Sequence, residues 1–148
     1  MKLTILGFAT CAALLAALPV RAQTDAAARA AKEPGAVVTA SGLVFKTIKD
    51  GSGASPKATD TVKVQYRGTF PDGKEFDSSY KAGGPIEFPL SGVIKCWTEG
   101  VQMMKVGGKA KLTCPGSIAY GERGAGGGLI PPNATLVFEV ELLGVSAK

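Results

Sequence analysis

Three stretches of the chain alternate apolar and polar residues with a period of two: Val62, Val64 and Tyr66; Ala110, Leu112 and Cys114; and Leu136, Phe138, Val140 and Leu142. Successive side chains on a strand point to opposite faces, so each stretch buries one face and wets the other. Lys63, Gln65 and Arg67, and Lys109, Lys111 and Thr113, supply the wet faces. This predicts strands over Thr61 to Phe70, Lys109 to Cys114 and Thr135 to Val145, with a further strand over Leu43 to Lys49. Pro71-Asp72-Gly73 sets a restricted φ before a turn former and a glycine, which reverses the chain into a strand over Glu75 to Ser79. Ile86, Phe88 and Leu90 also alternate, but Pro89 among them lacks an N–H and confines that strand to a sheet edge or bulge. Within the domain only Lys95 to Met104 follows the helical period, with Ile94, Trp97, Val101 and Met104 three or four residues apart. Strands outnumber helices and are joined by short links, so the expected class is α+β, an antiparallel sheet with one helix on its apolar side.

The 148 residues, 45% of them apolar, suffice for one hydrophobic core. The chain opens with Lys2, an apolar run of sixteen residues from Leu3 to Leu18, and Pro19-Val20-Arg21-Ala22. A positive start, an apolar stretch and small residues before a cut describe a secretory signal, with cleavage expected after Ala22. A membrane anchor needs roughly twenty apolar residues. Lipidation at Cys11 would require the apolar run to end before the cysteine, and here it continues beyond it. The expected organisation is therefore a signal over residues 1–22, a flexible Ala-rich tether over 23–40 and a single domain over 41–148, in the periplasm or otherwise exported. Within the tether, propensity alone allows a short helix around Asp25 to Lys32. Without a long dimerisation helix the expected state is a monomer.

Lys2 and Arg21 leave with the signal, so the 17 basic residues become 15 against 12 acidic ones. A surplus of three, spread singly along the chain, argues against a nucleic-acid partner. The chain contains no histidine, which removes the usual general base and the commonest nitrogen ligand for metals. No metal and no cofactor are expected. The run from Gly121 to Gly128 lacks the Lys and Ser of a phosphate loop, and Leu129 stands where a dinucleotide fingerprint requires glycine, so it is read as a mobile loop. Cys96 and Cys114 remain after export, and an even pair in an oxidising compartment invites a disulfide, the alternative being two buried thiols. Cys114 should face inward with Ala110 and Leu112, and Cys96 precedes Trp97 on the helix. Tyr66, Phe76, Asp77, Val93, Ile94, Trp97, Tyr120, Ile130 and Phe138 form an aromatic and aliphatic set with one carboxylate; periodicity alone accounts for them as core.

Val64-Gln65-Tyr66-Arg67-Gly68, Asp72-Gly73-Lys74-Glu75-Phe76-Asp77-Ser78-Ser79, Val93-Ile94 with Trp97-Thr98-Glu99-Gly100, Ala119-Tyr120-Gly121, and Ile130-Pro131-Pro132-Asn133-Ala134-Thr135-Leu136-Val137-Phe138 run in register. Together they resemble the FK506-binding family of peptidyl-prolyl cis-trans isomerases, over about Ser41 to Val145. The resemblance implies a curved antiparallel sheet of five to six strands wrapped around one short helix. It also implies a pocket with Trp97 as its floor. Tyr66, Phe76, Asp77, Tyr120 and Phe138 would join Trp97 in catalysis, while Ile86, Val93, Ile94 and Ile130 would contact substrate. Ile94 would donate its backbone N–H and Tyr120 its hydroxyl to bound carbonyls, and Asp77 would accept hydrogen bonds. Proline-containing exported polypeptides are the implied partners and FK506-type macrolides the implied ligands. The alternative reading is a proline-binding module or periplasmic chaperone without turnover. Three positions depart from the family pattern: Cys96 stands where glycine is usual before the tryptophan, Ile86 where phenylalanine is frequent, and glycines fill the nine-residue loop between Tyr120 and Ile130.

Overall fold

The computed structural model describes residues 20–146. Its elements are α1 (Val20–Ala31), β1 (Ala36–Val38), β2 (Val44–Lys49), β3 (Thr61–Thr69), β4 (Glu75–Ser78), β5 (Ile86–Pro89), α2 (Lys95–Gln102), β6 (Lys109–Cys114) and β7 (Leu136–Ser146). The sheet is antiparallel throughout, in the order β1-β2-β6-β7-β3-β4, with β5 also paired to β3. The second edge of β3 is shared: Thr61 to Val64 pair with β5, and Arg67 to Thr69 pair with β4. Between them the chain from Ser79 to Pro85 leaves the ladder, which opens the sheet beside Tyr66.

The alternation behaves as its period requires. Val62, Val64, Leu112, Leu136, Val140 and Leu142 are fully buried on one face, against α2. The helix approaches closely because of Gly100: a Cβ there would overlap Leu112 Cδ2 and lie 3.3 Å from Leu43 Cδ2. Cys96 on α2 and Cys114 at the end of β6 meet in this layer as a disulfide, their Cα atoms 5.9 Å apart and both residues fully buried. Pro89 lies on the peripheral strand β5, outward-facing, as a residue without an N–H should.

Two expectations need correction. The sheet has seven strands, one more than the upper expectation, because Ala36–Val38 pairs with Val44–Lys46 across a reversal closed by Gly42 at φ +96°. Much of the segment read as a tether is accordingly structured. In α1 Ala26 and Ala30 are buried, and Glu33 just beyond the helix ion-pairs with Lys46 of β2 at 3.1 Å and Lys111 of β6 at 2.7 Å. Residues 1–19 of the expected signal lie outside the described residues, and the bond after Ala22 falls within the backbone of α1. The glycine run has a defined path: two single 3-10 turns, Gly121–Arg123 and Gly126–Gly128, closed by paired hydrogen bonds between Ala125 and Ile130.

The Glu33 clamp yields a pH prediction. The hydrogen bonds from Lys111 and then Lys46 hold the Glu33 carboxyl below its ordinary value. A depressed carboxylate stabilises above the unfolded-state value, and that contribution fades as the pH falls through the folded one. Acidification below about 4.3, or Glu33→Gln at neutral pH, should speed amide hydrogen exchange in Ala26 to Ala31. Because the pairs are partly solvated, the core amides of β3 and β7 should exchange as before.

Candidate active site

Tyr66, near the middle of β3, points inward from the strand whose neighbours are Val64 and Gly68. Its backbone N–H donates to Ser79 Oγ at 2.8 Å, and Ser79 N–H returns a bond of 2.9 Å to Tyr66 O, where regular strand pairing has lapsed. Gly68, two residues on, is required by crowding: a Cβ there would lie 2.7 Å from Phe76 Cζ and 3.0 Å from Phe138 Cε1. The Tyr66 ring then meets Trp97, which α2 projects toward the sheet.

A cleft of about 250 Å³ opens at this place, lined by Tyr66, Asp77, Phe88, Gly92, Val93, Ile94, Trp97, Tyr120 and Phe138. Trp97 and Phe138 are its most enclosed aromatics, each 4% exposed. The rings of Tyr66, Phe88 and Phe138 stand 5.1, 5.6 and 5.5 Å from that of Trp97, all nearly perpendicular to its plane. Such edge-to-face contacts match the positive ring edge to the negative ring face and fix the walls relative to the floor. The Trp97 Nε1–H is buried without a hydrogen-bond acceptor, alone in this among the side-chain polar atoms of the described residues. The cleft floor is therefore apolar and enclosed.

Four residues of the lining, Tyr66, Asp77, Tyr120 and Ile94, bring polar groups to this apolar floor. The Tyr66 hydroxyl donates to Asp77 Oδ2 at 2.6 Å. Burial first, and the neighbouring Asp77 carboxylate second, push the Tyr66 phenol far above its usual range. Burial and the Asp77 charge likewise raise Tyr120. Both tyrosines therefore remain protonated donors well beyond neutral pH. Ile94, in extended conformation as the N-cap of α2, lines the cleft, and its N–H donates to no group among the described residues.

Seven of the residues singled out from sequence thus share the cleft: Tyr66, Asp77, Val93, Ile94, Trp97, Tyr120 and Phe138. Three do not line it. Phe76 stands behind Phe138, with centroids 5.7 Å apart and Phe70 at 5.1 Å on its other side, so it supports a wall. Ile130 is buried where its backbone pairs with Ala125, and Ile86 packs against the core opposite Val64. Sequence reasoning missed Phe88 and Gly92. Phe88 carried a usable signal, since it shares the inward face of its strand with Ile86; Gly92 carried none.

The family model described as FKBP-type peptidyl-prolyl cis-trans isomerase matches residues 53–143. The chain is 54% identical over 115 residues to the FKBP-type peptidyl-prolyl cis-trans isomerase FkpA of Escherichia coli K12, covering 78% of this chain and 42% of that protein. It is 55% identical over 113 residues to the FKBP-type 22 kDa peptidyl-prolyl cis-trans isomerase of the same strain, covering 76% of this chain and 54% of that one. The chain thus spans about half the length of these curated relatives. The crystal structure of Escherichia coli FkpA superposes with a TM-score of 0.82 at 49% identity, covering 86% of this chain and 59% of that one. A peptidyl-prolyl cis-trans isomerase from Pseudomonas syringae superposes with a TM-score of 0.80 at 40% identity, covering 86% and 92%. On the matched family model, this identity and the shared fold, the chain belongs to the FKBP-type peptidyl-prolyl cis-trans isomerase family.

Proposed function

We propose that this chain accelerates cis-trans rotation about X-Pro bonds in exported polypeptides, with the proline ring seated on Trp97. The observation that carries the reading is the enclosed Trp97 floor walled by three perpendicular rings. Rotation about a peptide bond faces a barrier of about 18 to 20 kcal/mol from amide resonance, and X-Pro exchange unaided takes tens to hundreds of seconds. No covalent bond has to be made or broken. The planar amide is charge-separated and well solvated, whereas the twisted amide has a less polar carbonyl. An apolar cleft that excludes water therefore favours the twisted form over the planar one, which is the differential binding catalysis requires.

In this reading Tyr66, Phe88 and Phe138 hold the ring, and Phe76 keeps Phe138 in place. The unengaged Ile94 N–H and the Tyr120 hydroxyl take the flanking carbonyls, so that rotation proceeds about a fixed proline. Asp77 orients the Tyr66 hydroxyl. Val93 packs against the chain beside the proline, and Ile86 and Ile130 contribute from behind the walls. The same cleft would accept FK506-type macrolides. The protein acts as an exported monomer after cleavage following Ala22, with the isomerase domain over 41–148 and α1 docked to it; N-terminal sequencing and sizing of the protein from envelope extract test this.

The decisive experiment is the exchange rate of a short Xaa-Pro peptide with and without the purified chain, repeated with FK506. Acceleration abolished by the drug is expected. Binding without acceleration would favour a holding module, since a pocket that fits planar and twisted amides equally binds without catalysing. The pH profile is a second check. With no histidine in the chain and both cleft tyrosines raised by burial, kcat/KM should stay within twofold from pH 7 to 9. A bell-shaped profile in that interval would mean that a general acid or base takes part.

A further inference from the structure

Beside the cleft runs a second depression, an open trough of about 680 Å³ along α2, whose lining includes Ser91, Val93, Lys95, Glu99, Gln102 and Ile118. Val93 lines both. The two depressions therefore adjoin at Val93, where a chain leaving the cleft on that side meets the trough. Its size lies within the roughly 300 to 1,000 Å³ of ordinary ligand sites.

Most polar groups of the trough are already engaged. The Thr98 hydroxyl donates to Leu90 O at 2.6 Å, and Gln102 Nε2 donates to Thr98 O at 2.8 Å. Glu99 is held from outside the helix, its Oε1 accepting from Ser41 Oγ at 2.5 Å. Lys95 differs: it is exposed and makes no ion pair among the described residues. Glu99 stands four positions later on the same helix, but a lysine N-terminal to its glutamate is the weaker order for such a pair. Lys95 follows directly on the cleft residue Ile94, so its backbone stands at the cleft end of the trough, about one turn before Glu99. No acidic residue occupies the first turn of α2 to neutralise that end.

Resting on the isomerase reading, we propose that the trough is an extended substrate subsite for the polypeptide flanking the proline, and that Lys95 selects an acidic side chain there. The sequence preference of the enzyme then extends beyond the residues that touch Trp97. It is read as charge by an exposed lysine, so it weakens as salt rises.

The test uses the purified chain and a peptide of one central X-Pro bond extended by four residues on each side, with a single Glu or Lys moved through those positions. At low ionic strength, one position or two adjacent ones on one side of the proline should give kcat/KM roughly two- to fivefold higher for Glu than for Lys, the upper range expected of exposed charge pairs. Lys95→Gln should erase the difference and Lys95→Glu should reverse it. A four-residue peptide too short to enter the trough should be turned over by all three proteins within twofold of one another. Discrimination below twofold at every position, or a Glu preference that survives Lys95→Glu, overturns the proposal while leaving the isomerase reading intact. Failure of the wild-type chain to turn over even the short peptide would instead strike the isomerase reading itself.

Discussion

Reducing the Cys96–Cys114 bond is expected to lower the free energy of unfolding by about 3 kcal/mol, which follows from the loop-closure entropy of a crosslink with a sequence separation of 18. In urea the midpoint should fall by about 1 to 3 M, for a denaturant slope of about 1 to 3 kcal/mol per M. The reason lies in where the bond sits. It joins the second residue of α2 to the last of β6, so it ties the helix carrying the cleft floor to the strand that leads, through Pro115 and the turn Gly116–Ile118, toward Tyr120. In a chain beginning at Gln23, which lacks Cys11, the remaining two cysteines are bonded to each other, so thiol titration should find no free sulfhydryl, folded or unfolded, until reductant is added. A Cys96→Ala, Cys114→Ala double variant gives the control, since reductant should leave its stability unchanged. Two reactive thiols in the untreated unfolded chain would show the bond absent. Well below the melting temperature the reduced protein should retain kcat/KM within twofold, because Trp97 and Val101 still pack α2 against the sheet.

How far the molecule could be read from its residues depends on which interactions set each part. Period-two alternation is a local property, and Val62, Val64, Leu112, Leu136 and Val140 all lie on the face it predicts. The same pattern says nothing of how far along a strand the cleft lies. Ile86 and Phe88 share one face, yet the pairing of β5 with β3 puts Ile86 opposite Val64 and Phe88 opposite Val62, and it is the Phe88 ring that reaches Trp97. Phe76 illustrates a related limit: its motif placed it at the site, but whether a ring forms the wall or backs it is decided by Gly68 and Phe138, which come from different strands. The order found in α1 and β1 was not legible because it depends on partners far away. Val37 and Val38 are half exposed and show no apolar face, and the ion pairs of Glu33 reach Lys46 and Lys111 across the sequence. The trough escaped notice for the same reason, since Ser41, Lys95 and Ile118 lie far apart in the chain.

Asp77→Leu should lower kcat/KM about ten- to a hundredfold, the loss of one hydrogen bond to a charged group being worth about 1.5 to 3 kcal/mol. Stability should fall by no more than about 1 to 3 kcal/mol, the cost of leaving the buried Tyr66 hydroxyl without its acceptor, because Asp77 itself is exposed on the short strand β4. Leucine nearly preserves the size of the side chain but deprives the Tyr66 hydroxyl of its acceptor, now 2.6 Å away. That hydroxyl is then free to turn toward the substrate amide, where it would stabilise the planar, more polar form that the cleft otherwise disfavours. Asp77→Asn keeps a neutral acceptor and should cost less than Asp77→Leu. Tyr66→Phe removes the donor, so in that background the carboxylate has nothing to orient. If Asp77 works through Tyr66, the two substitutions together should cost well less than the sum of their separate effects. Full additivity would mean that Asp77 acts on the substrate directly, and unchanged turnover in Asp77→Leu would remove it from the mechanism.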